Sequence, residues 1–243
     1  TDAASQTQLR ETMEHFTFSQ PTNRRSKMHI AIVGATGPTG QLVVSKALER
    51  GHKVVAYVRR PDALIARVNL TVVPGQLADT NEFADAIRGC DAVVCTLGSR
   101  SWRERKFMTH HLPFVTTAMA RAGVARLILM SALGGGIIPA HVSGVNRLVF
   151  QFLSRVVFAD RTISEAALAA TGLRWSAVYP GFLTNDEPSR SYATVSLDDL
   201  RDSPKGRIPR SSVADVLITL AEKPELDGQR LAIGEGSTLT KER

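Results

Sequence analysis

Apolar and polar positions along the chain switch repeatedly between two periods. Short runs of consecutive apolar residues occur at His29–Val33, Lys53–Val58, Leu70–Val73, Ala92–Leu97, Arg126–Met130 and Arg174–Tyr179. Their length and their Val/Ile/Leu content predict strands buried on both faces. Between them lie stretches with helical spacing at Pro38–Arg50, Asn81–Arg88, Glu104–Ala122 and Asp160–Ala170, followed closely by Gly51, Gly89, Gly123 and Gly172. Serial strand–helix alternation with short connections predicts an α/β fold: one doubly wound parallel sheet with helices on both faces. Beyond Tyr179 the pattern thins. Ser189–Pro209 is rich in loop residues with a strand expected at Tyr192–Ser196. A helix follows at Ser212–Glu222 and a last strand at Leu231–Ile233.

Residues 1–27 read differently. They are polar, rich in Thr, Gln and Ser, and carry no sustained apolar period. The expectation is a flexible N-terminal arm ahead of one domain over 28–243. Asp2, Glu11 and Glu14 argue against a transit peptide, and no secretory apolar core is present. At 243 residues and 43% hydrophobic, the chain can bury one sizeable core. No apolar run approaches the roughly 18–20 residues that span a bilayer. Cys90 and Cys95 are not a Cys-x-x-Cys pair and read as reduced core thiols of a cytoplasmic protein. The net charge of +7 suits an anionic partner, but no basic run interleaved with aromatics points to nucleic acid.

The stretch "IAIVGATGPTG" changes the picture most. Gly34, Gly37 and Gly40 stand at three-residue spacing between the first strand and the first helix. Glycines there let backbone approach a pyrophosphate, and the helix N-terminus offers free N–H groups to it. Thr36 and Thr39 can add hydroxyls, and Pro38 opens the helix. A dinucleotide fold that prefers NAD usually carries Asp or Glu after the second strand. Here that strand runs into Arg59 and Arg60, with no carboxylate before Asp62. A guanidinium fork matches a 2′-phosphate, so NADP(H) is expected over NAD(H).

Candidate chemistry is sparse. None of Tyr57, Tyr179 and Tyr192 has a lysine four residues on, so the Tyr-x-x-x-Lys proton transfer common in this architecture is absent in its usual form. His110 and His111 are adjacent, point about 100° apart on a helix and lack a carboxylate at ligand spacing, so no metal site is expected. The polar groups that remain stand at strand ends, where open α/β sheets bind ligands. They lie within Gly98, Ser99 and Arg100 at the end of the fourth strand, at Ser131 at the end of the fifth, and within Tyr179, Pro180, Gly181 and Phe182 at the end of the sixth.

Taken in order, "IAIVGATGPTG", "CDAVVCTLGSR", "LILMSALGG", "ISEAALAATGLRWSAVYPGFL" and "GRIPRSSVADVLITLAEKPELDGQ" resemble an atypical short-chain dehydrogenase/reductase. The resemblance spans about residues 28–236. It is to the NAD(P)H-binding flavin reductase or biliverdin-IXβ reductase type, a neighbour of the NmrA-like proteins. It implies a Rossmann fold, NADPH as hydride donor, and flavins or linear tetrapyrroles as acceptors. Carried over by residue, Gly34, Thr36, Gly37, Thr39 and Gly40 match the phosphate loop and Arg59 the 2′-phosphate arginine. Gly98, Ser99 and Arg100 match a Leu-Gly-Thr-Arg segment, and Ser131 the active-site serine. There are departures. Gly75-Gln76 stands where members carry Gly-Asp, and Phe182 where the mammalian reductase has histidine. The segment before Asp160 is longer, with an apolar stripe at Leu148, Phe152 and Val156 that is a lid, a self-association face or core.

The expected activity is therefore NADPH-dependent reduction of a flat conjugated acceptor such as FMN or biliverdin. Ser131 is the catalytic candidate, orienting the nicotinamide or relaying a proton. Arg100, Phe182 and Tyr179 are expected to bind substrate. Gln76, Leu77, Leu97, Tyr179 and Pro180 are expected to join the loop, Pro38 and Arg60 around the cofactor. The alternative is an NmrA-like NADP(H)-binding redox sensor without turnover. An epimerase or carbonyl reductase is a weaker reading, since both rely on the absent tyrosine pair. The partner is a small molecule, not nucleic acid or membrane, and the chain is expected to be a monomer or weak homodimer.

Overall fold

The computed structural model describes residues 27–99, 104, 106–132, 159–187, 192–199 and 207–235. Arg100, the stripe of Leu148, Phe152 and Val156, and the arm through residue 26 lie outside them. Among the described residues the strands are β1 (His29–Val33), β2 (Lys53–Val58), β3 (Leu70–Pro74), β4 (Ala92–Cys95), β5 (Arg126–Met130), β6 (Arg174–Pro180), β7 (Phe182–Thr184), β8 (Tyr192–Ser196), β9 (Arg207–Pro209) and β10 (Arg230–Glu235). The helices are α1 (Pro38–Glu49), α2 (Thr80–Ile87), α3 (Phe107–Ala122), α4 over 159–169, and α5 (Arg210–Glu222).

The main sheet runs β3-β2-β1-β4-β5-β6-β10-β8. This is the doubly wound parallel sheet the alternation predicts, with helices on both faces. Only β8 departs, pairing antiparallel with β10 at the edge. Two short strands had no legible signal: β7 and β9 pair parallel as a separate two-stranded sheet, too short to show a period.

Burial explains the continuous apolar runs. Ile30 and Ile32 of β1 face α1 and α5, in a core with Val43, Val44, Val94, Ile128, Val178, Val213 and Leu217. Ala31 and Val33 face the other way, toward Phe83, Met108, Leu112, Val115, Leu127, Leu129 and Leu168. Every residue of β4 and β5 is buried. A strand covered on both faces has no polar side to show.

Buried polar side chains then lock helices to the sheet. Arg126, 4% exposed at the start of β5, donates from Nη1 to the Ala221 carbonyl (2.5 Å) and from Nη2 to those of Leu220 and Lys223 (2.8 Å each). Its Nε bonds Asp227 at 2.6 Å. One guanidinium thus satisfies the last carbonyls of α5, where a cation is also favoured by the helix dipole. On the same helix, Arg50 joins α1 to α5 through Asp215 (2.6 Å) and Glu222 (2.8 Å). His52, fully buried, accepts the Met28 N–H at Nδ1 and meets Glu222 Oε1 at Nε2 (2.9 Å). With Nδ1 an acceptor, Nε2–H donates a hydrogen bond to the Glu222 carboxylate.

Arg126→Ala should leave three helix carbonyls and Asp227 facing a void. Losing one partner of a buried ionic network costs about 3–5 kcal/mol. Urea unfolding should show that loss, whereas Arg174→Ala, which removes an exposed partner of the same Asp227, should cost less than about 1 kcal/mol.

Candidate functional site

The loop between β1 and α1 is built on missing side chains. Gly34 has φ +82°, and a Cβ there would lie 2.9 Å from Thr96 Oγ1. A Cβ on Gly40 would overlap the Gly34 carbonyl. Gly37 caps α1, donating its own N–H to Gly34 O at 2.9 Å. Its N-cap residue, a glycine, has no side chain to cap it, and its first turn holds no acid. Its leading N–H groups are left for an anion.

That loop forms one wall of a cavity of about 430 Å³. Gly34, Thr36 and Gly37 line it with Arg59 and Arg60 from the end of β2, Gln76, Leu77 and Ala78 after β3, and Thr96–Ser99 after β4. The cavity opens where the strand order reverses between β1 and β4, the place an open α/β sheet offers a ligand. Thr96 ties its two sides: its N–H and hydroxyl both donate to the Val33 carbonyl, at 2.9 and 3.0 Å. Gln76 is held by Tyr57, whose hydroxyl donates to the Gln76 carbonyl at 3.1 Å while its ring stacks on Phe83 at 4.6 Å. Gly75 is obligatory here, since a Cβ would overlap the Tyr57 ring and hydroxyl.

The facing wall was not foreseen. Phe107, His110, His111 and Phe114 of α3 line the cavity together with Glu104. Their i, i+3, i+4, i+7 spacing is a helical stripe legible in the sequence. Weighed only as metal ligands, the histidines gave no hint that they belong to an aromatic face. The Phe107 and His111 rings stack at 4.3 Å, and His110 meets Phe114 edge-on at 5.5 Å. Met108, Leu112, Val115 and Met119 take the core side of the same helix.

The start of α3 corrects the sequence boundary. It begins at Phe107, not Glu104, because its cap comes from elsewhere. Asp160 of α4 accepts the N–H groups of Met108 (2.8 Å) and Thr109 (2.9 Å). The next residue, Arg161, is 8% exposed and donates to the carbonyls of Met130 (3.1 Å) and Leu97 (3.3 Å), bracing the tips of β5 and β4. Burial lowers its basicity, and Cys95, Glu165, Asp160 and Tyr179 act against that shift.

The remaining site candidates separate from the cavity wall. Gly40 and Thr39 are buried, and Pro38 stands exposed in the first turn of α1. Ser131, 2% exposed, directs its hydroxyl to Glu165 Oε1, and Tyr179 donates to Glu165 Oε2 at 2.6 Å. Burial, then the hydrogen bond and charge of Glu165, push the Tyr179 phenol well above its usual value, so it stays a donor. Pro180 ends β6, and Phe182 is 51% exposed on β7. Among the described residues no group of three or more His, Cys, Asp or Glu is placed to hold a metal, and no helix is long and apolar enough to cross a membrane.

This geometry suits an elongated anionic ligand: phosphate at the glycine loop, a second anionic group at the arginines, and flat rings against α3. The profile of a family described as NAD(P)H-binding matches residues 34–224. A Bacillus subtilis protein named as an uncharacterized sugar epimerase is 28% identical over 219 residues, covering 87% of this chain and 96% of that one. Two solved structures share the fold. One, from Streptococcus pneumoniae, is named as a candidate NADH-flavin reductase (TM-score 0.66, 19% identity, 86% of this chain and 99% of that one). The other is a Veillonella parvula short-chain dehydrogenase/reductase in complex with NADP (TM-score 0.66, 17% identity, 88% and 97%).

Asp160→Ala should remove the acceptor for two leading amides of α3 and cost about 0.5–2 kcal/mol. Hydrogen exchange should show protection lost at Met108 and Thr109 before the rest of the helix. Burial raises both thiols, Cys90 and Cys95, to about 11. Both should therefore stay protonated and unlabelled by a disulfide reagent at pH 8 in the folded protein, and react on unfolding.

Proposed function

The chain belongs to the NAD(P)H-binding family, and from that premise we propose that it is an NADPH-dependent reductase of a flat conjugated acceptor, a flavin such as FMN or a linear tetrapyrrole such as biliverdin. The observation that carries the reading is the meeting of the glycine loop with Arg59 and Arg60 in one cavity that has no carboxylate at the end of β2. Gly34, Thr36, Gly37 and the first N–H groups of α1 take the pyrophosphate, with Pro38, Thr39 and Gly40 shaping the loop from behind. Arg59 takes the 2′-phosphate and Arg60 supports it. Gln76, Leu77, Leu97, Gly98 and Ser99 flank the adenosine half.

NADPH supplies the hydride. The protein has to hold donor and acceptor in register and keep water out, which suffices for electron-poor acceptors such as flavins. Ser131, Tyr179 and Pro180 stand at the nicotinamide end, while Phe182 and Arg100 bind the acceptor. Residues 28–243 form the catalytic unit.

One observation favours a second reading, a redox sensor that binds NADP(H) without turnover. The Ser131 and Tyr179 hydroxyls both donate to Glu165, which leaves neither proton free for an acceptor. Stopped-flow oxidation of NADPH by FMN and by biliverdin separates the two: turnover of either supports the reductase, and tight NADP+ binding without turnover supports the sensor.

Arg59→Ala should weaken NADP+ and spare NAD+. A hydrogen bond to a charged group contributes about 1.5–3 kcal/mol, roughly 10- to 150-fold in affinity. Equal losses for both cofactors in calorimetry would remove the assignment. Deletion of residues 1–27 should leave NADP+ affinity within error, and a large loss would show that the arm completes the cleft.

A further inference from the structure

The four α3 side chains that line the cavity are not equivalent. Phe107 and Phe114 offer flat apolar rings and no polar atom. His110 and His111 stand between them in sequence, their rings 5.0 Å apart and at 82° to one another. His111 is anchored: its ring stacks on Phe107, and its Nδ1 lies 2.8 Å from the Phe107 carbonyl oxygen. A carbonyl can only accept, so Nδ1 carries the proton, and in the neutral ring Nε2 keeps a lone pair. Among the described residues Nε2 meets no hydrogen-bond partner. His110 is exposed, and among the described residues its side chain makes ring contacts and no hydrogen bond, so either of its nitrogens can carry the proton.

What His111 meets follows from the rest of the lining. Arg59 and Arg60 line the same cavity as α3, whereas Ser131, Tyr179 and Pro180 do not. The sugar that carries the 2′-phosphate of NADP(H) also carries adenine, so a phosphate held by Arg59 brings the base to this half of the cleft. Flat apolar surface for a base to lie on is supplied here by the α3 stripe with Leu77 and Leu97. At its edge adenine presents an exocyclic N–H₂, a donor. We propose that His111 is a specificity-determining residue whose Nε2 accepts a hydrogen bond from the adenine amino group of NADP(H), selecting adenine over a base with a carbonyl at the same carbon. The proposal rests on the reading that the cleft binds NADP(H) with its 2′-phosphate at Arg59.

The selectivity comes from the fixed polarity of the ring. Hypoxanthine turns a carbonyl oxygen where adenine turns N–H₂, and facing Nε2 it sets acceptor against acceptor. At about pH 8, where imidazole is ordinarily neutral, His111 can satisfy that oxygen only by moving its proton to Nε2 and giving up the Phe107 carbonyl. The loss is about that of one neutral hydrogen bond. His110, with no carbonyl to fix its proton, can meet either base and so does not discriminate.

The test needs no turnover. Calorimetry at about pH 8 compares NADP+ with its hypoxanthine analogue, in which oxygen replaces the adenine amine. Wild type should bind NADP+ about 3- to 10-fold more tightly. His111→Phe keeps a flat ring for Phe107 to stack on but has no lone pair, and it should bind the two ligands alike. His110→Phe should change both affinities by the same factor and keep the preference. Equal wild-type affinity for the two ligands would overturn the proposal while leaving the cofactor reading in place. A preference retained in His111→Phe would also overturn it and pass the amine to Glu104 or Gln76, which line the same cavity. Loss of the preference in His110→Phe would overturn the assignment to a fixed lone pair on His111. Should His111→Phe not fold, nitrogen NMR of the imidazoles in wild type decides the same point. The NADP+ complex should hold His111 protonated at Nδ1 and bare at Nε2, and a proton on Nε2 there would overturn the proposal. Wild type binding neither ligand would overturn it together with the NADP(H) reading itself.

Discussion

The structure depends on one close approach of backbone to backbone. The first turn of α1 crosses the end of β1 so tightly that a Cβ on Gly40 would overlap the carbonyl of Gly34. Gly34 itself turns with φ +82°, against Thr96 just beyond β4. Any side chain at these two positions would push α1 off the sheet or push β4 away from β1. Because none is there, the helix N-terminus points into the gap where the strand order reverses, and its N–H groups become the floor of a cleft rather than a buried liability. The cavity that the glycine loop shares with the arginines at the end of β2 opens beside that contact.

A second element, α4, acts as a polar strut. Asp160 caps α3, Arg161 holds the carbonyls at the tips of β4 and β5, and Glu165 holds hydroxyls at the tips of β5 and β6. These are three different solutions to one problem. Strand ends and helix starts leave backbone groups unpaired, and a buried unpaired group costs about 1–3 kcal/mol. One helix supplies all three partners, so the geometry of the cleft beyond the glycine loop is set by a segment that lies outside the cavity wall. Arg126 does the same on the far side, closing the carbonyl end of α5. Asp160, Arg161 and Arg126 thus direct buried charge to backbone ends of helices and strands.

The sequence by itself determined the order of β1–β6 and the helices between them, because strands covered on both faces and helices with one apolar face each carry a local period. It also determined the glycine loop and the arginines after β2, since the demands on those positions arise within a few residues of chain. Only the tertiary structure decided the rest. The short strands β7 and β9 carry no period and exist through pairing with each other. The aromatic stripe of Phe107, His110, His111 and Phe114 was readable as a stripe, but a stripe does not say what it faces. The start of α3 at Phe107, the burial of Arg126 and the meeting of Ser131, Tyr179 and Glu165 each join residues from separate parts of the chain. Asp160 stands 52 positions from Met108, and Glu165 stands 34 from Ser131. A buried polar group is satisfied by whichever partner the packed chain brings within about 3 Å, and no local pattern records that choice.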